Sequence, residues 1–305
     1  MKRISRAKKI FFIVCIALIL SGIMLTFLAV RAGYNWKYFS IRSKGLVTYF
    51  VHRDKGFFKP LELISGYTKL AVKPLFCRRR FDKRELMQEH LLDFDLNFYN
   101  YDEQLLVFGE VFIEECYYFS AKRPNPLILD CGGNIGLGTL YFKSLYPQAT
   151  VLVFEPDPCN FATLQKNIAT NHLANVTAFN VAVSNRCGTC AFHEDFKGST
   201  SGHVQAANAQ DKNQILVKCD LLSSYIKKPV DLLKLDVEGS EGAVIEDLAK
   251  NGALSYIREM FIEFHEGRTT LGSLLATLDT NNFEYTVKQG QTLMIHAFNR
   301  HPIEA

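Results

Sequence analysis

No internal repeat and no low-complexity tract interrupts these 305 residues, and neither sign of charge dominates them. The formal net charge is only +4, and Lys2, Arg3, Arg6, Lys8 and Lys9 at the extreme N-terminus account for the excess. That leaves no basic face of the kind a nucleic acid requires, so no nucleic-acid partner is expected. A disordered chain is excluded as well: 48% hydrophobic and 22% charged residues are enough for one large domain and an appendage. Eight cysteines do not form a disulfide framework, because Cys15 lies in an apolar run, Cys131 sits beside glycines and the others are scattered. Cys187 and Cys190 have zinc or redox spacing in "CGTC", yet no second C-x-x-C or histidine pair stands at a suitable distance. A tight turn between strands is the expectation there.

The uncharged run of residues 10–30, "IFFIVCIALILSGIMLTFLAV", is long enough to cross a hydrocarbon layer as a helix of about 20 residues. It lacks the small-x-small cleavage site of a secretory signal, and Arg31 and Gly33 follow instead. We read it as a single-pass N-terminal membrane anchor. Basic residues on both sides leave its orientation open: the rest of the chain faces the cytosol in a bacterial cell, or the Golgi lumen in a eukaryotic one.

Three regions follow from this: 1–37, the anchor and its basic flank; 38–122, an aromatic and basic extension expected to pack on the domain that follows; and 123–305, a regular strand and helix alternation. In the extension, "DEQLLVFGEVFIEECYYF" from Asp102 places Leu105, Leu106, Val111, Phe112 and Tyr118 on one face of an amphipathic helix. "CRRRFDKR" at 77–84 reads as a solvated surface run, with contact to anionic lipid as the alternative.

Beyond Pro126 strands are expected at 127–130, 151–155, 176–183, 230–236, 258–264, 283–288 and 292–298. Helices are expected at 135–146, 158–171, 240–251 and 269–281. "VLVFE" and "VDLLKLD" are apolar throughout, as in parallel strands covered on both faces. The fold class is therefore α/β: a doubly wound, mostly parallel seven-stranded sheet. "QGQ" between the last two strands predicts an antiparallel hairpin at one edge, and "TCAFHE" with "ILVKC" an inserted strand pair.

Ligands of an open parallel sheet bind beyond the carboxyl ends of its strands. Asp130, Glu155, Asp236 and His265 stand at those ends. In "LILDCGGNIGLG", Gly132, Gly133 and Gly136 let the backbone approach a ligand closely, and the following helix offers unpaired N–H groups to an anionic portion. A dinucleotide fingerprint needs G-x-G-x-x-G, but Asn134 occupies the second glycine's place, which disfavours NAD. Glu155, 25 residues after Asp130, is placed to accept both hydroxyls of a ribose. Adenosine without pyrophosphate fits both observations, and S-adenosyl-L-methionine answers that description.

The motifs "ILDCGGNIGLGTLYFKSLYP", "VFEPDPCNFATLQKNIATN", "NVAVSN", "DLLKLDVEGSEGAVI" and "IEFH", in this order, resemble the FkbM family of class I S-adenosylmethionine-dependent methyltransferases. The family's commoner glycine motif has Val and Ala where this chain has Cys131 and Gly133. The resemblance implies that Asp130, Gly132, Asn134 and Gly136 line the methionine part, that Glu155 holds the ribose, and that Asp157 and Ala182 lie near the adenine. It also implies O-methylation of a glycan or other small hydroxylated acceptor.

An alcohol acceptor must lose its proton as it attacks. Asp236, Glu238 and His265 are the candidates, with His265 the best base on its intrinsic pKa near 6.5. Two roles compete with these: a lone histidine after a strand can satisfy loop carbonyls, and "DVEGSE" can cap the helix beginning near Ser240. Asp236, Glu238 and Glu263 would supply oxygens to Mg²⁺ in a metal variant, but the reading takes no metal. The alternative from another class is a non-catalytic scaffold that keeps the fold.

Overall fold

A computed structural model describes residues 58–76, 85–194, 199–205, 212–266, 269–290 and 292–303. The expected membrane anchor and the 77–84 basic run lie outside the described residues. Among the described residues, no helix is long and apolar enough to cross a membrane.

Helix α1 (Pro60–Phe76) precedes a hairpin of β1 (Met87–Leu91) and β2 (Phe94–Phe98). Helix α2 (Tyr101–Phe108) follows, its first turn held by Asn100, whose side chain accepts from the Asp102 N–H. It runs into a π turn, Gly109–Ile113, and ends there. The expected helix was longer. Leu105, Val111 and Phe112 are buried as expected, but Tyr118 lies beyond the helix and is half exposed.

The central sheet contains β3 (Leu127–Cys131), β4 (Thr150–Phe154), β5 (Val176–Phe179), β10 (Leu232–Leu235), β11 (Glu259–Phe264), β12 (Phe283–Gln289) and β13 (Leu293–Asn299). Its order is β12-β13-β11-β10-β3-β4-β5, parallel except for β13, which runs antiparallel to both neighbours. Helices α3 (Leu137–Leu145), α4 (Pro158–Thr170), α5 (Glu241–Lys250) and α6 (Leu271–Thr280) lie within the spans expected for them.

The expected strand at 176–183 is split. Asn180 turns its side chain back onto the carbonyls of Glu155 and Pro156, both at 2.9 Å, and the chain leaves the sheet. It resumes as β6 (Ala182–Ser184) in a second sheet with β7 (Gly188–His193), β8 (His203–Gln205) and β9 (Gln214–Leu221), in the order β6-β9-β7-β8. The inserted strand pair is thus β7 and β9. "CGTC" spans the turn into β7, with Cys187 exposed and Cys190 buried, and the cysteines among the described residues are free.

One apolar core runs from the extension into the sheet. Leu63, Leu96, Phe108 and Phe112 share it with Ile128, Leu140, Tyr141 and Val151. Phe112 touches Phe58, Phe94, Phe108 and Tyr141 with ring centroids 5.0–5.4 Å apart. A second core under α5 and α6 closes the other face of the sheet.

Candidate active site

The turn after β3 is dictated by crowding. Gly132 has φ +82°, and a Cβ there would stand 1.7 Å from the Asp236 carbonyl oxygen, so the carboxyl ends of β3 and β10 close only over a glycine. A Cβ on Gly133 would meet the Val153 side chain at 2.2 Å. Asn134 adopts φ +46°, a left-handed conformation that asparagine tolerates. Its N–H donates to Glu155 Oε2 at 2.7 Å, while the Asp157 N–H donates to Oε1 at 2.8 Å. Glu155 therefore clasps two successive strand-end loops at the edge of a cavity. Burial, partly offset by these N–H groups, pushes its carboxyl up to about 8.

Gly132, Gly133, Asn134, Glu155, Ala182, Asp236, Glu238, Glu263 and His265 line this one cavity. Asp130, Gly136 and Asp157 do not. Asp130 is fully buried beneath the turn, accepting from the Thr139 hydroxyl at 2.8 Å, with the Lys234 ammonium 3.4 Å away. It faces a lysine and a threonine where a ligand was expected. Gly136, with φ +100°, starts α3. Asp157 caps α4 by accepting from the Cys159 and Asn160 N–H groups at 2.7 and 3.0 Å.

The catalytic candidates meet on the opposite wall. His265 Nδ1 lies 3.1 Å from Glu241 Oε1, and Nε2 lies 3.5 Å from Glu238 Oε2. Burial alone would lower the histidine's pKa, but the Glu241 hydrogen bond and the Glu238 charge outweigh it and push it up to about 9. Both glutamates favour the charged form of the ring, the opposite of what a resting base at His265 requires. Burial pushes Glu238 up to about 7 against the opposing pull of that imidazolium. It raises Asp236 too, with Lys234 pulling the other way from 3.3 Å.

Ser240 makes no side-chain cap at the start of α5. Glu241 caps the turn in its place. Buried, it accepts from the Val237 and Gly239 N–H groups at 3.1–3.2 Å while it also holds His265. It stands inside "DVEGSE", where a third acid one residue past the cap position was the available signal.

Other residues of the site escaped the sequence reading. Lys234, a lone charge in the strand "LLKL", donates to the Gly132 carbonyl at 2.8 Å. Burial would lower its pKa, but Asp236, Asp130 and Glu263 hold it above its ordinary value. Glu110, delivered by the π turn, also lines the cavity, and burial with the charges of Glu263, Glu114 and Asp236 pushes it up to about 8. Ser199 lends its carbonyl to the side chains of Asn134 and Asn160, and Thr200 donates to Glu103 at 2.7 Å. The insertion is thereby tied to the glycine turn and to α2.

Asp236, Glu263 and His265 have ligand atoms within 4.8 Å of one another, so the set that could hold a metal includes His265 in place of Glu238. These groups already have protein partners: Glu263 accepts from Tyr117 and Thr292, His265 lies between glutamates, and Asp236 pairs with Lys234.

Comparison with known proteins agrees with this geometry. Residues 130–285 match the model of the methyltransferase FkbM domain. The chain is 28% identical over 202 residues to Methyltransferase 1 of Beauveria bassiana (strain ARSEF 2860), covering 59% of this chain and 81% of that protein. It is 26% identical over 224 residues to the 31-O-demethyl-FK506 methyltransferase FkbM of Streptomyces tacrolimicus, covering 62% and 85%. It is 30% identical over 179 residues to the 2-O-methyltransferase NoeI of Sinorhizobium fredii (strain NBRC 101917 / NGR234), covering 52% and 72%. A family model matched across half of the chain, over a sheet and cavity of this form, means that this protein is a methyltransferase of the FkbM domain family.

Proposed function

We propose that the protein moves a methyl group from S-adenosylmethionine to a hydroxyl oxygen of a glycan or other hydroxylated metabolite, close to a membrane to which residues 10–30 tether it. In this reading residues 38–122 form part of the site's wall and residues 123–305 carry the cofactor. One observation supports the cofactor above the others: a buried carboxylate, Glu155, lies at the cavity edge beside a turn that admits no Cβ at Gly132. The residues present fit the group. Glu155 has lone pairs left for two ribose hydroxyls, Ala182 offers a small apolar surface to the adenine, and the N-terminal N–H groups of α3 suit a carboxylate. When bound, S-adenosylmethionine supplies an electrophilic methyl group on a sulfonium.

The chain's own work is alignment and proton management. Glu238, with its pKa near neutrality, takes the hydroxyl proton as the oxygen attacks, and the His265 imidazolium holds that carboxylate in place. Asp236, which lines the same cavity, would help offset the positive charge of a bound sulfonium. Relatives whose names specify a methylated oxygen support an alcohol acceptor over an amine.

Mass spectrometry of extracts from cells with and without the protein tests the reaction. A metabolite heavier by one CH₂, present only with the wild type and absent with Glu238→Gln, is expected. Unchanged profiles under strong expression contradict it.

A further inference from the structure

The extension contributes one side chain whose chemistry the packing leaves unused. Gln104 on α2 is 1% exposed, and neither its Nε2 nor its Oε1 has a hydrogen-bond partner among the described residues. Leaving both ends of a buried amide unpaired is costly, and such a group in a native structure calls for an explanation. Gln104 also lines the same cavity as Gly132, Gly133 and Asn134.

Leu105 and Phe108 share a core with Leu137, Leu140 and Tyr141 of α3. The nine-residue helix α3 begins at the glycine turn, and its first N–H groups have no partner within the helix. Leu137 and Gly138 of that first turn line the cavity as well. A helix N-terminus attracts an anion. An amide lining the same cavity offers a donor and an acceptor together, which complements an α-amino-acid zwitterion: Nε2–H toward the carboxylate, Oε1 toward the ammonium.

We infer that Gln104 binds the amino-acid end of S-adenosylmethionine, so that the extension, lying outside the residues matched by the family model, completes the cofactor site. The assignment rests on the cofactor reading given above. It also gives the tie between Thr200 and Glu103 a purpose, since that hydrogen bond anchors α2 against the insertion over the same cavity.

Two probes separate the ends of the cofactor: S-adenosylhomocysteine has the amino-acid portion, and 5′-methylthioadenosine has only the nucleoside and a methylated sulfur. Calorimetry with the full-length chain should find both bound by the wild type. Gln104→Leu, of similar volume, should weaken S-adenosylhomocysteine by about 10- to 100-fold, the loss of one or two hydrogen bonds to charged groups, and leave 5′-methylthioadenosine unchanged. Its ligand-free thermal midpoint should hold or rise, because an unpaired buried amide has been removed. Gln104→Glu, which sets a charge against the carboxylate, should weaken the first probe further and spare the second. Equal affinity of variant and wild type for S-adenosylhomocysteine, or equal weakening of both probes, overturns the assignment alone. A wild-type chain that binds neither probe overturns the cofactor reading and this assignment with it.

Discussion

Burial moves the Glu155 carboxyl up to about 8 in the ligand-free protein. The sign follows directly. A carboxyl raised in the folded state binds protons that the unfolded chain releases, so its contribution to stability is lost as pH rises from the unfolded value of about 4.3 through 8. Ribose hydroxyls donate to the ionised form, so cofactor binding should expel part of a proton at pH 7. Titrating S-adenosylhomocysteine in buffers of different ionisation heat should show this release, and Glu155→Gln should abolish it. Equal apparent heats in all buffers with the wild type would contradict the role. His265 has the opposite charge and follows the complementary rule: raised from 6.5 to about 9 by Glu241 and Glu238, it stabilises the fold below about pH 6.5, and that contribution fades as pH climbs through 9. The difference in thermal midpoint between wild type and His265→Asn should shrink over this window. A constant difference would mean that the ring titrates alike in the folded and unfolded chain.

Residue identities at strand ends were legible because a parallel sheet points that edge at its ligand, and Glu155, Asp236, Glu238 and His265 do meet at one cavity. Side-chain direction was not legible. Asp130 ends the same kind of strand but turns down onto Thr139 and Lys234. The charge environment of His265 was equally hidden, since it depends on Glu241, 24 residues away, whose carboxylate lies 3.1 Å from Nδ1.

At the scale of elements, apolar strands and helix periodicity located nearly every strand and helix after Pro126. The split between β5 and β6 was missed because one side chain, Asn180, decides it through two carbonyl contacts that no periodicity encodes. The β1–β2 hairpin was missed as well. It is held by Asn167 of α4, which accepts from the Asn97 N–H at 2.7 Å and donates to the Asn97 and Ile135 carbonyls at 3.0 and 2.8 Å. Asn167 thus couples the hairpin to the glycine turn. Asn167→Ala should cost about 1–3 kcal/mol for the buried groups left unpaired, visible in denaturant midpoints. It should also weaken cofactor binding, although no cofactor contact is assigned to it. A loss of stability with full cofactor affinity would show that the hairpin does not support the turn.

At the scale of the whole molecule, the extension and the sheet share a single core, so they should unfold together. Phe112, fully buried among Phe58, Phe94, Phe108 and Tyr141, bridges them. Phe112→Ala should cost about 3–5 kcal/mol and shift one cooperative calorimetric transition as a unit. Two separated transitions, only one of which moves, would show that residues 58–122 fold apart from the sheet. That union, which the sequence led us to expect as packing of the extension on the domain, puts Glu110 and Gln104 at the cavity, two residues it did not single out.

The central claim is that Glu155 and the turn over Gly132 hold an adenosyl group. A crystal structure of the protein with S-adenosylhomocysteine tests it most directly. The account predicts both ribose hydroxyls within about 2.5–3.0 Å of the Glu155 carboxylate. A ligand bound elsewhere, or in this cavity with its ribose turned away from Glu155, would contradict it.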